Sequence, residues 1–199
     1  MRFSITALLV ATLVAACSRR DAGTRAASDT SQRSTTMAKT LTQLSLTSAG
    51  FKDGAAIPVQ FTCDGANQSP PLTWADAPDN TVSYALIVED PDAPGGTFIH
   101  WVIYDIPVAT HSLPQGVPNG PTVPALGGAK QGRNSFKNAV GYGGPCPPKG
   151  APHHYHFKLF ALDKTLGLEP GATRDQAMDT MRGHELAHGE LVGTYARKS

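Results

Sequence analysis

Past residue 40 the chain becomes a succession of short apolar runs separated by clusters of Asp, Pro, Asn and Gly. LTQLSLTS, from Leu41, alternates apolar and polar positions, and IPVQFTC, from Ile57, is β-branched and aromatic; both read as strands. SYALIVED from Ser83 and TFIHWVIYDIP from Thr97 are the strongest strand signals, and HYHFKLFALD from His154 alternates cleanly. One segment argues for a helix. Thr173-Arg-Asp-Gln176 has the form of a capping box, in which the Thr and Gln side chains satisfy each other's free backbone N–H groups, and Ala177, Met178 and Met181 follow at helical spacing. Regularly spaced strands with little helix predict a mainly β fold: an antiparallel β-sandwich with one or two short helices near the C-terminus.

The first 40 residues lie outside that pattern. MRFSITALLVATLVAAC has one basic residue, a short apolar run and small residues ahead of a cysteine, which is the form of a secretion signal and too short for a spanning helix. Its ending, Leu13-Val14-Ala15-Ala16-Cys17, resembles the bacterial lipobox, which implies cleavage before Cys17 and a diacylglycerol on its thiol; an ordinary signal peptide containing a Cys is the alternative. Residues 18–40 are polar, small and free of aromatics, cannot bury enough apolar surface to fold, and read as a tether. The expected organisation is a signal peptide at 1–16, a lipidated N-terminus and linker at 17–40, and one domain at 41–199. The expected location is the surface of a bacterial membrane, facing the periplasm or the cell exterior. Met37, which begins MAKTL, is either an internal start or an exposed linker residue.

Composition agrees with the strand pattern. The 20 Gly and 16 Pro among 199 residues favour turns over long helices, and 40% hydrophobic content suits a globular core. Without residues 1–16, which contain one Arg and no acid, the balance is 16 basic against 16 acidic residues, so the electrostatic footprint of a nucleic-acid binder is missing. Of the cysteines, Cys63 and Cys146 remain. Outside the cytoplasm two thiols tend to oxidise, which makes one disulfide closing a long loop the economical reading; two separate buried thiols are the alternative.

The seven histidines supply the candidate chemistry. His184-Glu-Leu-Ala-His188 has the letters of a zinc-peptidase helix, in which two imidazoles one turn apart grip the metal. Here Gly flanks both sides, only 11 residues follow, and no downstream third ligand stands at the usual distance, so a coincidence of five letters is expected and no metal is assigned. On a strand His153, Tyr155 and Phe157 share one face while His154 and His156 share the other. Ahead of them Gly143-GPCPPKGAP makes a stiff loop, tight in its glycine half, which is either a preorganised pocket wall or a structural turn. In Glu89-DPDAPGGTFIHWV a carboxylate and an imidazole can meet across neighbouring strands, although Asp-Pro-Asp is equally ordinary turn chemistry.

DPDAP with HWV, GPCPPKGAPHHYHFKLFALD and GHELAHGELVGTYAR are similar to the phosphatidylethanolamine-binding protein (PEBP) family, in its bacterial Raf-kinase-inhibitor-like branch of YbhB/YbcL type. The segment from GFKDGAAIPVQFTCDG to DPDAP matches that branch too, and the resemblance runs in order from 41 to 197. It implies a PEBP-like β-sandwich with a small anion pocket near one end. Carried over residue by residue, the pocket uses Asp90, His100, His153 and Tyr155, with Pro148 and the Gly144 region as its wall and Asp92 as a second-tier member. Tyr155, an imidazole N–H and loop amides would donate to a phosphate or carboxylate, and Asp90 would orient His100 or share a proton with the ligand. His154 stands where many relatives carry Arg, and Phe98 represents the rim aromatic. The expected function is binding, not catalysis: a membrane-tethered module holding a small anion or phospholipid head group, without a cofactor. The alternatives are a protein-interaction inhibitor of a protease or kinase, and a hydrolase using the Asp/His pocket.

Overall fold

The computed structural model describes residues 42–197. The expected signal peptide, Cys17, the expected tether and Met37 lie outside the described residues. Ten strands form two sheets: β1 (Thr42–Gln43), β2 (Ser45–Thr47), β3 (Leu72–Ala75), β4 (Ser83–Asp90), β5 (Phe98–Pro107), β6 (Ser112–Leu113), β7 (Thr122–Val123), β8 (Ala129–Gln131), β9 (His153–Leu162) and β10 (Glu185–Tyr195). The large sheet has the order β1-β10-β9-β4-β5-β8-β7 and the small one β2-β3-β6.

The sandwich is antiparallel except at one edge, where β1 runs parallel to β10. LTQLSLTS is not one strand. β1 joins the large sheet and β2 the small one, with buried Leu44 between them donating its N–H to His188 O at 2.8 Å. Changing sheets at a corner closes that end of the sandwich.

The main core fills the space between the sheets, with Leu46, Leu72 and Trp74 from the small sheet against Leu86, Trp101 and Phe157 from the large one. A second core lies on the outer face of the large sheet. There the helix α1 (Arg174–Met181) lays Ala177 and Met181 over Ile87, Val102 and Phe160. Being covered on both sides, β4 is buried at all eight positions, which is why SYALIVED reads as an unbroken apolar run instead of an alternation. The capping box is formed: Thr173 Oγ1 accepts from Gln176 N–H at 3.2 Å, and Gln176 Oε1 accepts from Thr173 N–H at 2.9 Å.

IPVQFTC is not a strand. After Pro58 the chain makes a 3-10 turn over Val59–Phe61, with i to i+3 bonds from Phe61 N–H to Pro58 O and from Thr62 N–H to Val59 O, both 2.9 Å. Three-residue spacing then buries Phe61 completely and leaves Val59 exposed, so these β-formers cap the end of the core. HELAH lies on no helix. α1 ends at Met181, Gly183 takes φ +82°, and β10 begins at Glu185, so His184 meets Asp163 at 2.8 Å while His188 points into solvent.

Candidate functional site

Asp90 is the last residue of β4. Tyr84, Leu86 and Val88 of that strand face the inter-sheet core, so the alternation turns Asp90 to the same inner side, where it is 3% exposed. Its Oδ1 accepts from Asp92 N–H at 2.8 Å, an Asx turn that reverses the chain through DPDAP. Asp92 itself faces outward. Its Oδ2 accepts from His154 N–H at 2.8 Å and meets His154 Nδ1 at 2.7 Å, and these bonds from His154 hold its carboxyl below the usual range. Asp92 therefore pins the start of β9 and does not line the cavity described below.

His100 reaches the inner side through a defect in β5. Val88 pairs with Trp101 and Glu89 with Ile99, so His100 is the extra residue of a β-bulge. Strict alternation would put His100 on the face opposite Trp101. The bulge turns both inward and sends Ile99 to the outer core. The His100 ring donates from Nδ1 to Gly143 O at 2.7 Å and is 2% exposed, among the rings of Phe98, Phe136 and Tyr155 at centroid distances of 5.1, 5.4 and 5.1 Å. Burial pushes its pKa below the ordinary 6.5, against the opposing pull of the Gly143 and Gly144 carbonyls and Asp90.

On β9 His153 and Tyr155 face inward and His154 faces out, as the alternation requires. Asp90 Oδ2 lies 2.8 Å from His153 Nδ1, so the carboxylate orients His153; the expected pairing with His100 is corrected. Tyr155 has no exposed surface, and its hydroxyl is without a hydrogen-bond partner among the described residues. Burial first, then the charges of Asp90 and Asp92, push its pKa up, so the phenol keeps its proton.

The loop before β9 supplies the wall. Gly144 donates its N–H to Asn67 Oδ1 at 2.7 Å, and a Cβ there would collide with Phe61 O and come within 2.9 Å of Thr62 Cα. Close backbone approach demands glycine at this point, and the amide is spent on Asn67 instead of facing a ligand. A disulfide joins Cys63 to Cys146, 83 residues apart, and places Cys146, Pro147 and Pro148 along the cavity.

The result is a cavity of about 400 Å³ that brings together Asp90, His100, His153, Tyr155 and Pro148, leaving Asp92 and Gly144 behind its walls. Its volume falls within the range of small-molecule sites. Phe98, Phe136 and Pro94 make much of the lining apolar, with Ser135 and Lys137 beside them. Phe136, Lys137 and Ser135 were not legible as site residues. They sit on a turn in which Asn134 Oδ1 accepts from Phe136 N–H at 2.9 Å and Lys137 takes φ +54°. An aromatic set between polar turn residues in Asn134-Ser-Phe-Lys-Asn138 was the one signal available. A separate depression of about 380 Å³ near the start of α1 is lined by Arg133 and Arg174; there Arg174 Nε, buried without a hydrogen-bond partner among the described residues, pairs its charge with Glu89 Oε2 at 3.4 Å.

The family model for phosphatidylethanolamine-binding proteins matches residues 47–196. A UPF0098 protein of Aquifex aeolicus is 50% identical over 152 residues, covering 75% of this chain and 86% of that one. A Mycobacterium tuberculosis protein whose name describes it as a lipoprotein, LppC, is 42% identical over 164 residues, covering 81% and 75%. Among solved structures, a PEBP homologue from Chlamydia trachomatis superposes with a TM-score of 0.70 at 38% identity, and E. coli YbcL with 0.72 at 34%; each comparison covers 78% of this chain and 99% of the other. Matched over most of its length in sequence, and in fold at well above chance identity, the chain belongs to the phosphatidylethanolamine-binding protein family.

Proposed function

We propose that this protein is a membrane-tethered, extracytoplasmic binding protein whose cavity holds a small organic anion, such as a phosphate or a phosphorylated head group. One observation carries the reading: the Tyr155 hydroxyl is buried, protonated and unpartnered at the cavity, beside the Asp90–His153 pair. A donor buried without a partner costs about 1–3 kcal/mol, and a bound anion removes that penalty with a charge-assisted bond. Lys137 adds a positive charge to the lining, and the Phe98, Phe136 and proline surfaces suit an organic substituent. The lipobox-like ending at Cys17 and the similarity to a lipoprotein-named relative support the tether. Binding without chemistry is the economical assignment. The Cys146 sulfur is held in a disulfide, and the Ser135 hydroxyl accepts from Ile99 N–H at 3.0 Å.

Calorimetric titration of the purified protein with phosphorylethanolamine tests this. Wild type binds, and Tyr155→Phe weakens binding about tenfold, the equivalent of one charge-assisted hydrogen bond. The same variant melts no lower than wild type, because it deletes a hydroxyl that no protein group satisfies. No binding of phosphorylethanolamine or phosphate by wild type at millimolar concentration would sink the reading.

A further inference from the structure

We propose that the depression beside α1 is a second binding site, which holds the carboxylate of a small organic acid between Arg133 and Arg174. It is separate from the cavity of Asp90 and His153 and stands independently of the reading above.

Two segments distant in sequence are fastened together to build it. Gly171 N–H donates to Gln131 O at 2.8 Å and Arg133 N–H to Ala172 O at 3.0 Å, so the end of β8 and the approach to α1 run side by side. Gly132 permits the contact, since a Cβ there would collide with Ala172 O. Buried Asn134 fixes the turn that follows, donating to Gly141 O and accepting from Phe136 N–H, each at 2.9 Å. Both arginines are thus carried on backbone that is tied in place. The depression shares only Ser135 with the lining of the cavity, because β5 sends Ile99 to this outer side and Phe98 and His100 to the inner one.

The charges at the depression do not cancel. Arg133 is exposed, and among the described residues its guanidinium has neither an ion pair nor a hydrogen bond, so the whole donor fork is available. Arg174 is anchored from behind. Its Nε faces the buried Glu89 carboxylate at 3.4 Å, and Glu89 already meets Lys158 Nζ at 2.6 Å, so one acid answers two cations. Arg174 Nη1 meets Asp175 at 3.1 Å, on a carboxylate 83% exposed where water weakens the pair, and Nη2 is left for a ligand. Arg133, Arg174 and Lys158 stand against Glu89 and Asp175, which leaves one positive charge in excess. A guanidinium fork matches a carboxylate through two parallel N–H···O bonds. The start of α1 contributes position instead of donors, since its capping box takes the N–H groups of Thr173 and Gln176. Past Arg133 and Thr173 the surface continues into a depression of about 410 Å³, where Leu168 and Pro170 suit an apolar body and Glu169 repels a second carboxylate. The ligand class is therefore a small monocarboxylate.

NMR titration of the purified protein with sodium butyrate, and with butyramide as its uncharged counterpart, tests the proposal under mildly acidic conditions where guanidinium N–H protons exchange slowly enough to be seen. Butyrate at millimolar concentration is expected to shift the Nε–H signals of Arg133 and Arg174 and the amide of Thr97, while butyramide leaves them in place. Arg133→Gln should weaken butyrate binding about fivefold, the scale of a partly exposed bidentate pair. Equal shifts with butyramide overturn the carboxylate site. Shifts confined to His153 and Tyr155 put the binding in the other cavity and overturn it too, as does the absence of any shift at tens of millimolar. A variant that binds butyrate as wild type does removes Arg133 from the site and the proposal with it. The comparison of the two probes uses wild type alone, so it holds whether or not the variant folds.

Discussion

His100 is a base held inside an aromatic cage, and its confinement links stability to pH. Its folded pKa lies below the unfolded value near 6.5, chiefly because burial disfavours the charged ring. As pH falls through the unfolded value, the unfolded chain takes up a proton that the folded chain refuses, so stability is complete above about 6.5 and declines below it. Urea unfolding between pH 7.5 and 5 should show this decline, with a shallower slope in His100→Gln than in wild type. An identical slope in both would mean that the ring titrates in the folded protein as it does in the unfolded chain. Asp90 illustrates a different lesson at the same scale. The resemblance of its DPDAP motif marked it as a candidate site residue, yet its partner is set by the register of β4 against β9, in which Glu89 lies opposite His156 and Asp90 arrives beside His153.

Among the elements, the loop from Gly143 to the start of β9 has the largest consequence for the site. Pro145, Pro147 and Pro148 limit its backbone, Gly144 lets it pack against the Phe61–Thr62 turn, and the disulfide ties it to Cys63. Closing an 83-residue separation constrains the unfolded chain strongly, so the Cys63→Ser/Cys146→Ser double variant should lose about 2–4 kcal/mol in urea unfolding. Because Cys146 lines the cavity, the same variant should also bind phosphorylethanolamine more weakly, measured by calorimetry at a temperature where it remains folded. Unchanged affinity would show that Gly144–Asn67 and the prolines hold the wall without the bridge. Strands β4, β5 and β9 and helix α1 were legible because each carries a strong local signal: a doubly buried run, a clean alternation, a capping box. The Val59–Phe61 turn was not. β-branched and aromatic residues describe a fit to a half-buried surface, and here that surface is the end of the core instead of a sheet.

For the whole molecule, the sandwich puts the cavity at one end of the large sheet, and the expected tether precedes β1 by the polar stretch of residues 18–40. If Cys17 carries the lipid, several buried methylenes at about 0.8 kcal/mol each hold the domain to a membrane. The full chain expressed in a bacterium should then sediment with membranes, and Cys17→Ser should move it to the soluble fraction. Soluble wild type would remove the anchor from the proposal while leaving the pocket untouched.

By itself the sequence determined the β-rich class, the main strands and the helix start, since periodicity, turn residues and caps act over a few positions, and its resemblance to a family named the candidate site residues. Only the tertiary structure decided which of those residues meet. The bulge that turns His100 inward, the pairing of Asp90 with His153, the diversion of Asp92 to His154 and the arrival of Phe136 and Lys137 all depend on register between strands distant in sequence. A one-residue change of register moves every side chain of a strand to the opposite face, and no local pattern encodes that choice.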